Sequence, residues 1–291
     1  MSTSTPTQTR IRVLKQEYDT LRPGKESLLK ILDETEISEI VYNSNAIENS
    51  TLTLRETETI LLEMEVMRKV SLREVFEAKN LAQVIEYVRT RASTVDISEK
   101  IILFLHKMLM NGIDNAIAGR FREQGEYVRV GVHIAPAPEH VERMIEEIVS
   151  EYRSDFSTYD IDKIARFHLD FETVHPFNDG NGRMGRVLMN WQLQSLGLPS
   201  LIIRDKEKQR YYKSFQVYRD EKNAKPMEKI VTLALTESLH KRITYLEGKS
   251  IITLAEYVRQ TDKSASAVFN AAKKQTIPAF REKGVWKIGK N

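Results

Sequence analysis

The residues best suited to chemistry stand together in one run, His175-Pro176-Phe177-Asn178-Asp179-Gly180-Asn181-Gly182-Arg183-Met184-Gly185-Arg186. His175 supplies a base that titrates near neutral pH. If a helix delivers it, Pro176 cannot continue that helix. Gly180 and Gly182 at alternate positions allow positive φ and leave backbone N–H groups bare. A helix opening behind them turns its positive end to the same loop. Successive N–H groups beside a helix N-terminus bind anions, most often phosphate. Arg183 and Arg186, three apart, share one face of the first turn. Cations there oppose the helix dipole unless an anion lies between them. Asp179 offers a carboxylate where a magnesium ion beside phosphate needs an oxygen. The set suggests phosphoryl or nucleotidyl transfer. The same text also reads as a helix–loop–helix with an Asp-Gly turn and solvated arginines. On residue chemistry alone the two readings weigh evenly.

The elements that must position this run are helical. Thr53 with Glu56 and Ser71 with Glu74 both read as capping boxes, the first opening a helix through about Arg68. Val75, Ala78, Leu81, Ala82, Ile85 and Val88 follow the second box at helical spacing. Further helices are expected from Pro138 to about Arg153, Asp160 to Val174, Arg183 to Leu196, and Pro226 to about Leu246. Glu126 to Ile134 alternates weakly before a Pro-rich turn and reads as a hairpin or extended flap. No repeat with a period of roughly 20 to 50 residues is present. Composition shifts divide the chain into 1–92, a helical region; 93–248, the core; and 249–291, a basic module.

Composition narrows the classes. The chain has 291 residues, 41% hydrophobic and 29% charged, which is ordinary globular composition. The absence of cysteine excludes disulfides, thiolate metal sites and Cys nucleophiles. A net charge of +3 gives no bulk argument for nucleic acid. No apolar run approaches a membrane span, and residues 1–10 lack a signal-peptide core. A cytoplasmic protein with no membrane partner is expected.

His175 to Arg186 resembles the signature of the Fic family, His-Pro-Phe-x-Asp/Glu-Gly-Asn-Gly-Arg-x-x-Arg, at every fixed position. Flanking text through Leu201-Ile202-Ile203-Arg204 and Tyr211-Tyr212 is similar to Fic-domain adenylyltransferases. The resemblance covers roughly residues 15–245. It implies a mostly α Fic-fold bundle with a β-hairpin flap. It also implies transfer of AMP from ATP, with Mg2+, to a Ser, Thr or Tyr hydroxyl of a target protein or of the chain itself. Carried over by motif, His175 is the general base and Asp179 the metal ligand. Gly180, Asn181, Gly182, Arg183, Gly185 and Arg186 bind nucleotide, and Phe177 fixes the loop. Ser44-Asn45-Ala46-Ile47-Glu48-Asn49 resembles the family's inhibitory pattern, in which Glu48 pairs with Arg186 and blocks the γ-phosphate position. Val130, Gly131, Val132 and His133 resemble the flap that aligns a target backbone. Tyr211 and Tyr212 resemble the adenine-pocket pair. Arg219 stands where the family often carries Asn, with Asn223 a turn later as the alternative, which leaves base specificity unassigned.

The remaining motifs carry less. His106, His140, His168 and His240 read as core or helix-surface histidines. Gly248-Lys249-Ser250 imitates the end of a P-loop but lacks its first glycine. Residues 252–289 resemble an excisionase-type winged helix-turn-helix, with Lys273, Lys274, Arg281, Lys283, Lys287 and Lys290 as a basic face that could meet DNA phosphates. A homodimer also fits the sequence. The rival functions are removal of AMP by the same site and a DNA-binding regulator with a Fic sensor core.

Overall fold

A computed structural model describes residues 3–66, 68–261 and 263–290. In chain order the elements are α1 (Thr5–Leu21), α2 (Glu26–Ile47), α3 (Leu54–Leu62), α4 (Leu72–Arg91), α5 (Glu99–Met110), β1 (Arg129–Val130), β2 (His133–Ile134), α6 (Val141–Ser154), α7 (Asp160–Val174), α8 (Asn181–Ser195), α9 (Lys208–Glu221) and α10 (Lys225–Leu246). A last group follows: β3 (Ser250–Thr253), α11 (Leu254–Arg259), α12 (Ala265–Lys273), β4 (Ala279–Glu282) and β5 (Val285–Lys290). The chain is mostly α, as expected.

Two apolar clusters share the central pair α7 and α8. In the first, Phe167, Phe171, Leu188 and Trp191 pack against Val41 of α2, Leu81 and Val84 of α4, and Ile102 and Leu105 of α5. In the second, Ile164, Leu169, Met189 and Leu193 pack against α1, α9 and α10. Two-sided burial fixes both helices, and with them the loop that joins them. The first cluster also runs across the expected boundary at residues 92 and 93, so α2 and α4 are built into the core.

Local rules explain most of the element ends. The Thr53–Glu56 capping box is formed in full. Its helix stops at Leu62 rather than near Arg68, because Met64 takes positive φ and Arg68 folds back onto Glu56. The Ser71 box does not form. Ser71 makes no side-chain cap bond, and the Glu74 carboxylate instead accepts from Ser50 and Thr51. Pro138 opens a 3-10 turn to His140 before α6 begins. The hairpin is reduced to two residues in each strand, Val130 opposite His133.

The last strands form an antiparallel sheet ordered β3-β5-β4. β4 and β5 join through Lys283 and Gly284, both at positive φ, which suits a tight hairpin. β3 was not expected from the sequence. This unit has its own small core of Leu254, Val268, Ala272, Ala279 and Ile288. Ion pairs dock it onto the helices. Arg281 pairs with Glu237 and Glu207, while Lys241 joins Glu282 to Glu36. Arg204 pairs with Glu39 and Glu237, and Arg242 with Asp33 and Glu36. Some cations of the expected basic face take part in ion pairs. Arg281 is half-buried in these pairs, while Lys283 reaches Glu58, Lys287 reaches Glu282 and Lys290 reaches Gln260. Lys273, Lys274, Lys283 and Lys290 are exposed.

Candidate active site

His175 ends α7 in the left-handed region, φ 49° and ψ 63°. That turn swings the chain off the helix axis and into the loop. Arg122 holds the turn from behind. Its guanidinium donates to the carbonyls of His175 at 2.8 Å, Glu126 at 2.9 Å, Pro136 at 2.9 Å and Val174 at 3.3 Å. Its own N–H meets the Pro176 carbonyl at 2.9 Å. Arg122 is only 3% exposed. Arg122→Ala orphans these acceptors, so stability should fall by on the order of 3 kcal/mol in a denaturant titration.

Phe177 is fully buried and stacks on His106, centroids 3.6 Å apart. His106 Nδ1 accepts from Gly119 N–H, so its Nε2–H faces the Asp179 carbonyl at 3.1 Å. Burial pushes His106 down to about 4, which keeps the ring neutral. Asn181 clamps the same turn: its amide oxygen accepts from Phe177 N–H and its NH2 donates to the Phe177 carbonyl. Only the Asn181 backbone is left for an anion. Gly180, at φ 82°, starts α8.

The loop opens on a cavity of about 650 Å³. His175, Asp179, Gly180, Asn181, Gly182, Arg183, Arg186, Tyr211, Tyr212, Glu48, Val130 and Gly131 all line it. Val132 and His133 do not. Val132 points to solvent, and His133 reaches the Thr173 carbonyl at 2.9 Å. Gly185 was expected to bind nucleotide and lies away from the cavity. A Cβ there would meet Glu172 Oε1 at 2.5 Å and His168 at 2.7 Å, so the glycine lets α8 approach α7. Tyr211 is buried, its hydroxyl 2.6 Å from His168 Nε2, while Tyr212 is half-exposed and donates to the Ile47 carbonyl at 2.9 Å. His168 thus faces Tyr211, in keeping with a core histidine. Neither Arg219 nor Asn223 lines the cavity.

Charge organises the rest. Arg186 Nε donates to Ser44 Oγ at 2.9 Å, and its Nη2 to the Ser44 carbonyl at 2.8 Å and Glu48 Oε1 at 2.9 Å. α2 ends at Ile47 with Glu48 as its cap, which aims this carboxylate across at the start of α8. It lies so close over Gly182 that a Cβ there would meet Glu48 Oε1. Arg183 sits 3.1 Å from Asp179 and 3.2 Å from Glu77. Arg73 reaches the same two carboxylates and closes a ring of alternating charge. These cations hold Asp179 below the usual carboxylate range, against the opposing effect of its burial. Burial pushes His175 down to about 4 and Glu172, beside it, up to about 8. His175 is thus a neutral imidazole at physiological pH and free to accept a proton.

Among the described residues no group of three or more His, Cys, Asp or Glu could hold a metal by itself. Asp179 alone still fits magnesium that takes its other oxygens from phosphate and water. Sequence reasoning missed Arg73, Glu77, Arg122 and Glu172. Only Glu172 had a local signal, lying one helical turn before His175.

Residues 96–193 match the Fic/DOC family model. This match spans α5 to the last turn of α8, hence the whole loop. The Drosophila melanogaster protein adenylyltransferase Fic is 31% identical over 175 residues, 59% of this chain and 35% of that protein. The chain therefore spans about a third of that relative's length. A Fic-domain-containing signaling protein from Bacteroides thetaiotaomicron shares the fold, with TM-score 0.76 over 82% of this chain and 97% of that one at 24% identity. Fic-1 from C. elegans aligns with TM-score 0.67 at 27% identity, covering 82% of this chain and 73% of that one. No helix among the described residues is long and apolar enough to cross a membrane.

Proposed function

We propose that the chain is a protein adenylyltransferase held off by its own Glu48. The supporting observation is that carboxylate: an internal anion lies over Gly182 and pairs with Arg186, where a helix N-terminus and a guanidinium would receive phosphate. In this reading ATP binds along the cavity. The N–H groups of Gly180, Asn181 and Gly182 and the Arg183 side chain hold its phosphates, and Arg186 holds the γ-phosphate once released. Tyr211 and Tyr212 flank the base. Ser44 fixes Arg186 in both states. A target hydroxyl, Ser, Thr or Tyr, lies along the flap. Its oxygen bonds to the α-phosphorus as the bond to the β-phosphate breaks. Its proton passes to His175, and diphosphate leaves. Asp179 would hold magnesium, which supplies positive charge against the departing phosphates. Self-modification follows the same course.

The test is incubation with α-labelled and with γ-labelled ATP. Protein labelled only from the α position supports AMP transfer; protein labelled only from the γ position means a kinase and sinks the reading. Asp179→Asn should lower transfer by on the order of 10²-fold and flatten its magnesium titration. An unchanged magnesium midpoint removes Asp179 from that role. Removal of AMP from a modified protein uses the same residues, and a labelled, modified target distinguishes it. DNA contact by residues 250–291 would rest on the exposed Lys273, Lys274, Lys283 and Lys290.

A further inference from the structure

We infer that Lys208 positions the Glu48 carboxylate, a role that deepens the self-inhibited adenylyltransferase reading above and rests on it. Glu48 is one residue beyond α2, so the end of that helix sets where its carboxylate lies. Two backbone bonds close the end locally. Asn49 N–H donates to the Ala46 carbonyl at 3.0 Å and Ser50 N–H to the Asn45 carbonyl at 3.0 Å, with Asn49 at φ 69°. The negative end of the helix still lacks a cation of its own, because its last turn carries no basic residue. α9 supplies one from outside. Lys208 Nζ donates to Asn49 Oδ1 at 2.7 Å and stands 3.5 Å from the Ala46 carbonyl, so it grips the residues on both sides of Ile47 and Glu48. One turn further along α9 the Tyr212 hydroxyl donates to the Ile47 carbonyl, and ahead of α9 the Asp205 N–H donates to Asn43 Oδ1 at 3.0 Å. The end of α2 is thus tied to α8 through Arg186 and to α9 through Lys208. Lys208 is poorly placed for its own helix. A cation in the first turn opposes the dipole, and the first turn of α9 holds no acidic residue. Its position makes sense from α2, where it meets the favourable end. Without Lys208 the end of α2 moves more freely, and Glu48 leaves Gly182 and Arg186 for a larger fraction of the time.

The test is Lys208→Met in the full chain, with Lys208→Arg as the conservative variant. Met keeps an unbranched side chain and loses the donors, while Arg keeps charge and donors. Losing one charge-assisted hydrogen bond from the inhibited state should raise self-modification by about 3- to 10-fold for Met and leave Arg within about 2-fold of wild type. In a Glu48→Gly parent Lys208→Met should change nothing, because no carboxylate remains to be placed. Hydrogen exchange should show faster amides at Asn49 and Ser50 in Lys208→Met at a matched melting temperature. Self-modification equal to wild type in Lys208→Met overturns the inference. The same change with and without Glu48 overturns it too, as does unaltered exchange at 49 and 50. If Glu48→Gly itself transfers no AMP, the adenylyltransferase reading falls, and exchange still decides whether Lys208 holds the end of α2.

Discussion

Glu48→Gly raises self-modification by roughly 10²-fold, the scale on which a single well-placed charge acts in such sites. The reasoning is geometric. The Glu48 carboxylate covers Gly182 and bonds Arg186 at 2.9 Å. Removing it uncovers both, and Arg186 stays in place through Ser44 Oγ and the Ser44 carbonyl. The fold should change little. Glu48 is 38% exposed in its side chain and caps the end of α2, so the pair contributes about 0–1 kcal/mol. The signs are opposite to the usual case: slightly lower stability, much higher activity. Arg186→Ala does not reproduce the effect, since it removes the cation that the γ-phosphate needs. In the double variant, glycine at 48 rescues little. Self-labelling unchanged from wild type, in a folded protein that binds ATP, would falsify the inhibitory role. Faster loss of AMP from a modified target in wild type than in Glu48→Gly favours the removal reaction.

His175→Ala, made in the Glu48→Gly background, lowers transfer by about 10²–10⁴-fold, the contribution of a positioned base. ATP binding should persist. The anion-binding N–H groups belong to the start of α8, and Arg183 is held by Asp179 and Glu77. Calorimetric ATP affinity within a few-fold of the parent, with labelling lost, is the expected pair of results. Undiminished labelling would take His175 out of the reaction. His175→Asn is the companion control, because asparagine tolerates the left-handed turn better than alanine. Both variants should be equally inactive.

The loop was legible in the sequence because its parts are neighbours. His175, Gly180 and Arg186 announce a helix end, a nest and a helix start within twelve residues. The helices α7, α8 and α10 followed from periodicity and breakers, within about two residues at their ends. What stayed hidden is what the fold brings from afar. Arg73 meets Asp179 across 106 positions, and Arg122 meets His175 across 53. An arginine on an amphipathic helix or in a loop looks solvated until its partner is known. The Ser71 box failed for a related reason. Its glutamate had the right spacing, but Thr51, 23 residues earlier, took the carboxylate. β3 was missed because a four-residue strand needs its partner, and Lys290 pairs with Ser250 only at the far end of the module. The ion pairs within the basic face were not legible. Spacing showed the cations, and only packing shows that α10 and α3 hold the carboxylates that meet Arg281 and Lys283.

The left-handed backbone of His175 sets a limit on how stable this protein can become without losing its chemistry. A non-glycine residue in that region costs on the order of 1 kcal/mol or more. Glycine there would be relaxed, and asparagine nearly so. Selection for stability alone would drive the position away from histidine. The chain keeps the strained residue and braces it with Arg122, whose bonds act on the carbonyls around the turn rather than on the imidazole. Engineering for heat tolerance would meet the same trade-off. A screen that scores only melting temperature should enrich changes at 175 that inactivate the protein, and changes elsewhere that tighten the Arg122 brace.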